Sequence, residues 1–127
     1  MKTRFTVALS VVAGIGVGVM ATQVLHAQAK PPVYVIGEID VREPEPYFKG
    51  YVPGASKAVV DGGGRYVVRG GKSVSFYGEP PKLIAVMVFE SMEKAEAAFG
   101  SAAYKEAKAV GDKYAKFRVY AVEGLPQ

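Results

Sequence analysis

Cysteine and tryptophan are absent from this chain, and histidine occurs only once, as His26. Without cysteine, no disulfide can stabilise a small domain and no thiolate can act as a nucleophile or metal ligand. A single imidazole also leaves no histidine-rich metal site of the zinc type. These absences exclude most of the familiar catalytic machinery, and a serine nucleophile would have to find its base elsewhere.

The first 29 residues have the pattern of a secretory signal peptide. Lys2 and Arg4 form a basic start, residues 7–21 are apolar, and a polar stretch ends in Ala27-Gln28-Ala29. This order is typical of a leader that is cleaved, here after Ala29. An uncleaved membrane anchor is the alternative, but the apolar run is shorter than the ~20 residues that span a bilayer. We therefore predict that residues 1–29 are a signal peptide.

Removal of this leader would leave residues 30–127, without histidine and with a formal charge of about +2 instead of +4. Acidic and basic residues are interspersed there, whereas a nucleic-acid-binding surface needs a clustered positive patch. A chain of this length forms one domain with a modest core. We predict one periplasmic or secreted domain, with no nucleic-acid partner and no stable membrane association after cleavage.

Hydrophobic periodicity predicts the order β-α-β-β-α-β for this domain. The predicted elements are strand Val33–Val41, a helix from Tyr47 with a kink or late start at Pro53, strand Arg65–Arg69, a hairpin arm at Val74–Tyr77, strand Leu83–Phe89, a helix capped by Ser91 and interrupted at Gly100, a second piece capped by Ser101 and extending to about Val110, and strand Phe117–Glu123. This is an α+β, ferredoxin-like fold with a four-stranded antiparallel sheet.

The predicted strand Leu83–Phe89 also indicates an assembly. Its seven consecutive apolar residues leave no polar face, so both sides of the strand should be buried. Two helices cover one face of a four-stranded sheet, and a second copy of the chain is the expected cover for the other. The alternative is a monomer with a partly exposed apolar face, which favours aggregation. We predict a homodimer.

Polar side chains on the predicted strands are candidates for ligand binding. Tyr34 and Glu38 share one strand face, Arg65 and Arg69 are predicted to share another, and Arg118 and Tyr120 alternate on the last strand. If these faces point to the dimer interior, they would form a pocket for a small planar or anionic molecule. Alternation alone does not select the face, so exposed strand residues remain the alternative.

Two motifs suggest chemistry only superficially. Gly71-Lys72-Ser73 looks like the end of a phosphate-binding loop, but Tyr66 stands where that loop needs a glycine and a strand rather than a helix follows. Glu38 and Asp40 share a strand face but lack a calcium-loop pattern. We predict no metal site and no cofactor. Haem is disfavoured, although a tyrosine that binds the haem iron remains an alternative.

Five short motifs occur in order along the domain: Gly63-Gly64-Arg65, Arg69-Gly70-Gly71, Phe89-x-Ser91-Met92-Glu93-x-Ala95, Ser101-x-x-Tyr104 and Val122-Glu123-Gly124. This set resembles the family called domain of unknown function 1330 over Val33–Gly124. The resemblance implies a ferredoxin-like domain in a dimeric α/β barrel. It also indicates Tyr47, Arg69 and Tyr104 as polar residues that match the family pattern.

Two departures from that family pattern bear on activity. Members often carry Glu-Phe where this chain has Val88-Phe89, and an arginine where it has Gly111. A site built on that carboxylate and guanidinium would be missing here.

The resemblance leaves the function open, because its superfamily includes small monooxygenases, isomerases, haem enzymes and binding proteins. The first hypothesis is an exported, homodimeric domain that binds a small molecule without catalysis. The second is a cofactor-independent, isomerase- or monooxygenase-like enzyme that uses a tyrosine or the reactivity of its substrate. The third is a structural or partner-binding module.

Overall fold

A computed structural model of the protein describes residues 31–127. The predicted signal peptide and its cleavage site lie outside these residues. The predicted localisation depends on them and therefore stays a prediction. None of the helices within them is long and apolar enough to cross a membrane.

Four strands and three helices follow one another in the order predicted for a ferredoxin-like fold. They are β1 (Val33–Val41), α1 (Val52–Asp61), β2 (Arg65–Arg69), β3 (Leu83–Phe89), α2 (Met92–Phe99), α3 (Ala102–Gly111) and β4 (Ala115–Glu123). A turn at Pro44–Pro46 and a π-helical turn at Tyr47–Tyr51 lead into α1. The strand order is β2-β3-β1-β4, and every neighbouring pair is antiparallel.

The two faces of the sheet differ in burial. Alternate residues of β1, beginning with Val33 and including Gly37, face the helices and the core. The intervening residues, including Tyr34 and Glu38, face away from the helices, because successive side chains of a strand point to opposite sides. We call these two sides the helix face and the open face.

Local chemistry explains where the helices begin. Pro53 lies in the first turn of α1, where its missing N–H is tolerated, and the π-helical turn precedes it. This confirms the predicted late start. The hydroxyls of Ser91 and Ser101 accept hydrogen bonds from the backbone N–H groups of Lys94 and Tyr104, at 3.1 and 3.2 Å. Both predicted caps are therefore confirmed.

The predicted hairpin arm at Val74–Tyr77 is wrong. Residues 70–82 between β2 and β3 form an exposed loop without strand pairing. Gly70 and Gly78 have φ angles of +71° and +75°, and Pro80 and Pro81 lack the N–H that a strand ladder needs. Val74, Phe76 and Tyr77 are consequently exposed to solvent.

The core consists of two hydrophobic clusters between the helix face and the helices. One contains Ile39, Tyr47 and Tyr51, and the other contains Val35 and Phe89. Ala85 and Phe99 pack against both clusters and join them into one layer.

Candidate functional site

A cavity of about 170 Å³ lies between the helix face of the sheet and the helices. We call it the central cavity. Its floor includes Ala85, Gly37 and Val119, which are paired in one row across β3, β1 and β4. The row beside it carries the larger side chains of Leu83, Ile39 and Phe117. The cavity therefore lies where the sheet presents small side chains to the helices.

The π-helical turn supplies two of the phenols above this floor. Tyr47 and Tyr51 lie four residues apart, are buried, and stack with ring centroids 5.2 Å apart. The ring of Tyr51 also packs against Phe117, at a centroid distance of 4.9 Å. A π turn of this kind is often found at functional sites, because the extra residue changes the direction of the side chains.

A third phenol comes from α3 and pairs with the second. The hydroxyl oxygens of Tyr51 and Tyr104 are 2.9 Å apart in a buried position, and either can donate to the other. Neither has another hydrogen-bond partner among residues 31–127. The hydroxyl that accepts therefore keeps one O–H free to donate to a ligand. Burial raises the pKa of both phenols, so both are neutral near pH 7.

The hydroxyl of Tyr47 has no hydrogen-bond partner within the described part of the chain, although only 2% of the residue is exposed. Every fully buried side-chain oxygen there has a partner, so this hydroxyl must reach accessible space. Tyr47 lines the central cavity, which provides that space. Burial, with the nearby phenols of Tyr104 and Tyr66, raises the pKa of Tyr47 to about 12. It is therefore available as a neutral hydrogen-bond donor.

An arginine completes the lining at the β2 side. Arg69 donates a 2.7 Å hydrogen bond from Nη2 to Oγ of Ser56, and its Cζ lies 4.6 Å from the ring centroid of Tyr66. No carboxylate in residues 31–127 forms a salt bridge with it. An arginine has five N–H donors, so most of its donors and its positive charge are available to an anion.

The structure divides the predicted site residues between the two faces of the sheet. Tyr47, Arg69 and Tyr104 line the central cavity. The other five, on the open face, are Tyr34, Glu38, Arg65, Arg118 and Tyr120. The sheet therefore separates these eight residues into two groups.

The prediction that Arg65 and Arg69 share a face is wrong. Arg65 pairs with Val88, whereas Arg69 pairs with Ala85 on the helix face, and the register shifts between Tyr66 and Val68. This bulge places one extra residue in β2, so the alternation reverses along the strand.

The polar residues of the open face form their own contacts. Tyr120 donates a hydrogen bond to Glu38, and the Nη1 atom of Arg118 lies 3.6 Å from Oε1 of Glu38. The described residues contain no group of three or more acidic side chains or histidines that could hold a metal ion.

Sequence reasoning missed three polar residues of the central cavity: Tyr51, Ser56 and Tyr66. The spacing of Tyr51, four residues after Tyr47, places it on the same helical side, but its recurrence with apolar neighbours predicts only a core position. No local pattern indicates Ser56, since its contact with Arg69 depends on the packing of α1 against β2.

Comparisons with known proteins identify a family and a fold. The sequence model of the family described as Domain of unknown function (DUF1330) matches residues 32–125. No curated protein matches the sequence significantly.

The solved structures that are similar to this chain include three that each cover 76% of its length. One is a protein of unknown function from Rhodopseudomonas palustris, with 15% identity, 84% of that chain covered and a TM-score of 0.60. Another is a putative antibiotic biosynthesis monooxygenase from Caulobacter crescentus, with 15% identity, 92% covered and a TM-score of 0.56. The third is SnoaB, a cofactor-independent oxygenase from Streptomyces nogalater, with 7% identity, 96% covered and a TM-score of 0.56. At these identities the similarity establishes the fold alone.

Proposed function

The chain belongs to the DUF1330 family, and we propose that its domain binds a small, mostly apolar molecule in the central cavity. The molecule would carry an oxygen that accepts hydrogen bonds from the buried phenols. This proposal keeps the predicted small-molecule binding but moves the site from the dimer interior to the space beneath the helices.

The observation that carries the proposal is the hydroxyl of Tyr47, which lies beside the Tyr51–Tyr104 pair and has no hydrogen-bond partner among residues 31–127. Because this hydroxyl reaches accessible space at the central cavity, it can donate to a ligand bound there. Here the free donors meet at a cavity whose remaining lining is largely apolar. Such a combination of apolar walls and few polar groups is typical of ligand sites.

The state of the phenols favours binding over acid–base catalysis. A general base works best when its pKa is near the working pH, whereas that of Tyr47 is about 12. A neutral phenol stabilises a carbonyl or carboxylate oxygen by donating to it. An oxygenase-like activity would have to rely on the reactivity of the substrate.

Binding can be tested with benzoate as the probe, by NMR titration of the purified protein. We expect saturable shifts of the signals from residues around the central cavity. Tyr47→Phe should weaken binding tenfold or more, since it removes a hydrogen bond to a charged carboxylate worth about 1.5–3 kcal/mol. Tyr77→Phe is the matched control, because Tyr77 is 98% exposed. Equal binding by both variants would contradict the proposed role of Tyr47.

We also propose that the open face joins two copies of the chain. Its centre is apolar, with Ile36, Val68 and Val86 in one cross-strand row, and Val68 is exposed in the single chain. Exposed apolar patches of this kind favour association. Native mass spectrometry should show a dimer, and Val86→Glu should shift it to monomer. Val60→Glu, on the exposed side of α1, should leave it a dimer; a monomeric parent protein would refute this proposal.

We further propose export with removal of residues 1–29, which the signal-peptide pattern supports. The intact mass of protein from the periplasmic or secreted fraction should correspond to a chain that begins at Lys30. A chain that keeps Met1 and remains with the membrane would contradict this proposal.

A further inference from the structure

A second cavity, of about 250 Å³, lies beside β4 under α2 and α3. We call it the edge cavity. Its walls include Val35 and Ala121 from the sheet and Ala95 from α2. It exists because the helices leave the outer half of β4 incompletely covered, so that Val119 and Ala121 on the helix face remain exposed.

The central and edge cavities share part of their lining. Phe99, Tyr104 and Val119 border both of them. Only one layer of side chains therefore lies between the two spaces. One of these residues, Tyr104, also carries a hydroxyl of the buried phenol pair.

The floor of the central cavity shows how the two cavities are arranged along the sheet. Arg69, Ala85, Gly37 and Val119 are neighbours in one row that crosses the sheet from β2 to β4. Three strand spacings of ~4.8 Å make this row about 14 Å long. Arg69 stands at one end of the row, and the edge cavity opens at the other.

The charges differ between the two ends. Arg69 has no carboxylate partner among residues 31–127, whereas Lys108 at the edge cavity is paired with Asp112, at 2.6 Å between Nζ and Oδ1. Glu96 also borders the edge cavity and disfavours an anion there. An anionic group is therefore favoured at Arg69, and an uncharged apolar group at β4.

From these observations we propose that the two cavities form one site for an elongated, mostly apolar monocarboxylate. Its carboxylate accepts hydrogen bonds from Arg69 and from the hydroxyl of Tyr47, both of which line the central cavity. Its body lies over Gly37, and its tail passes Tyr104 and Val119 into the edge cavity. This inference rests on the proposed binding function of the central cavity and adds the ligand class and orientation.

The first test is a chain-length series, measured by calorimetry with hexanoate, octanoate and decanoate and the corresponding alcohols. We expect affinity to rise roughly fourfold for each added CH₂ that is buried. Each alcohol should bind about tenfold more weakly than its acid, because a charged hydrogen bond is lost. A naphthoate and an anthracenecarboxylate, titrated in parallel, distinguish a flat ligand body from a flexible one.

The second test uses substitutions at the two ends. Ala121→Leu, which reduces the volume of the edge cavity alone, should remove the advantage of decanoate while hexanoate binds as before; Val60→Phe, on the exposed side of α1, is the matched control. Val119→Phe, in the lining that both cavities share, should weaken decanoate more than hexanoate. Arg69→Gln should weaken the acids and leave the alcohols unchanged.

The outcomes separate this inference from the function on which it rests. Binding of hexanoate without a gain from chain length, or with no selective effect of Val119→Phe and Ala121→Leu, would overturn the elongated ligand and leave the central site intact. Failure of every acid and alcohol in the series, together with benzoate, would overturn both.

Discussion

Removing one hydroxyl of the Tyr51–Tyr104 pair should destabilise the protein by more than half as much as removing both hydroxyls does. The two oxygens are 2.9 Å apart, and both residues are buried in the helix-side core. Each single change to phenylalanine leaves the other hydroxyl without its protein partner. The double change removes both polar groups and keeps both rings.

The magnitudes follow from the free energy of desolvation. A buried polar group that loses its partner destabilises the folded state by about 1–3 kcal/mol, whereas removal of both partners is nearly neutral. Because the remaining hydroxyl can turn towards the central cavity, we expect the low end, about 1–1.5 kcal/mol for each single variant. The double variant should lose less than the two singles combined, with a coupling free energy of at least about 1 kcal/mol.

The assay is urea denaturation of the parent protein, Tyr51→Phe, Tyr104→Phe and the double variant, with the m-value checked for constancy. Tyr77→Phe is the control, since this exposed tyrosine should change the free energy of unfolding by less than about 0.5 kcal/mol. If the two single effects add to within ~0.5 kcal/mol, the hydroxyls are not coupled and the reasoning fails.

Three further predictions concern the same site. Burial raises the pKa of Tyr47 to about 12 in the folded state, so the unfolded chain loses this proton first. The free energy of unfolding should then fall as pH rises from about 10 to about 12, and less steeply in Tyr47→Phe; equal slopes in denaturation curves would refute this. Gly111→Ala would place its Cβ 2.5 Å from Cδ1 of Tyr51, and should destabilise by about 1–3 kcal/mol in thermal unfolding. Gly71→Ala, whose added Cβ would have no atom within 4 Å, should leave the melting temperature unchanged. Equal melting temperatures for Gly111→Ala and Gly71→Ala would show that the core adjusts to the added Cβ. Ser101→Ala removes the cap of α3 and should lower stability by about 1 kcal/mol in urea; an unchanged midpoint would show that the cap is dispensable.

The order of the secondary structure follows from local sequence. Strands are predicted by the alternation in Val33–Val41 and by the apolar run Leu83–Phe89. Both patterns involve only neighbouring residues, so they predict a strand whatever the rest of the fold is. Ser91 and Ser101 act through backbone groups three residues away, and their caps were predicted for the same reason. The loop after β2 was predicted wrongly, since the apolar side chains of Val74–Tyr77 favour a strand while the glycines and prolines beside them prevent pairing.

The candidate site was predicted only in part. Tyr47, Arg69 and Tyr104 were indicated by family resemblance, and the structure places all three at one cavity. Apart from Arg69, the strand residues chosen by alternation lie on the other face, because alternation groups residues without saying which group meets the helices. The bulge in β2 adds a second error, as it separates Arg65 from Arg69.

The sequence by itself determined the strands, the helices and their caps, and hence an α+β fold with antiparallel strands, because these depend on contacts over a few residues. Tertiary structure alone decided that Ala85, Gly37 and Val119 lie side by side, and that the hydroxyls of Tyr51 and Tyr104 meet across 53 residues of chain. Such contacts depend on strand register and helix packing, which the whole core sets together. A cavity is formed by these distant contacts, so its position has no local signature.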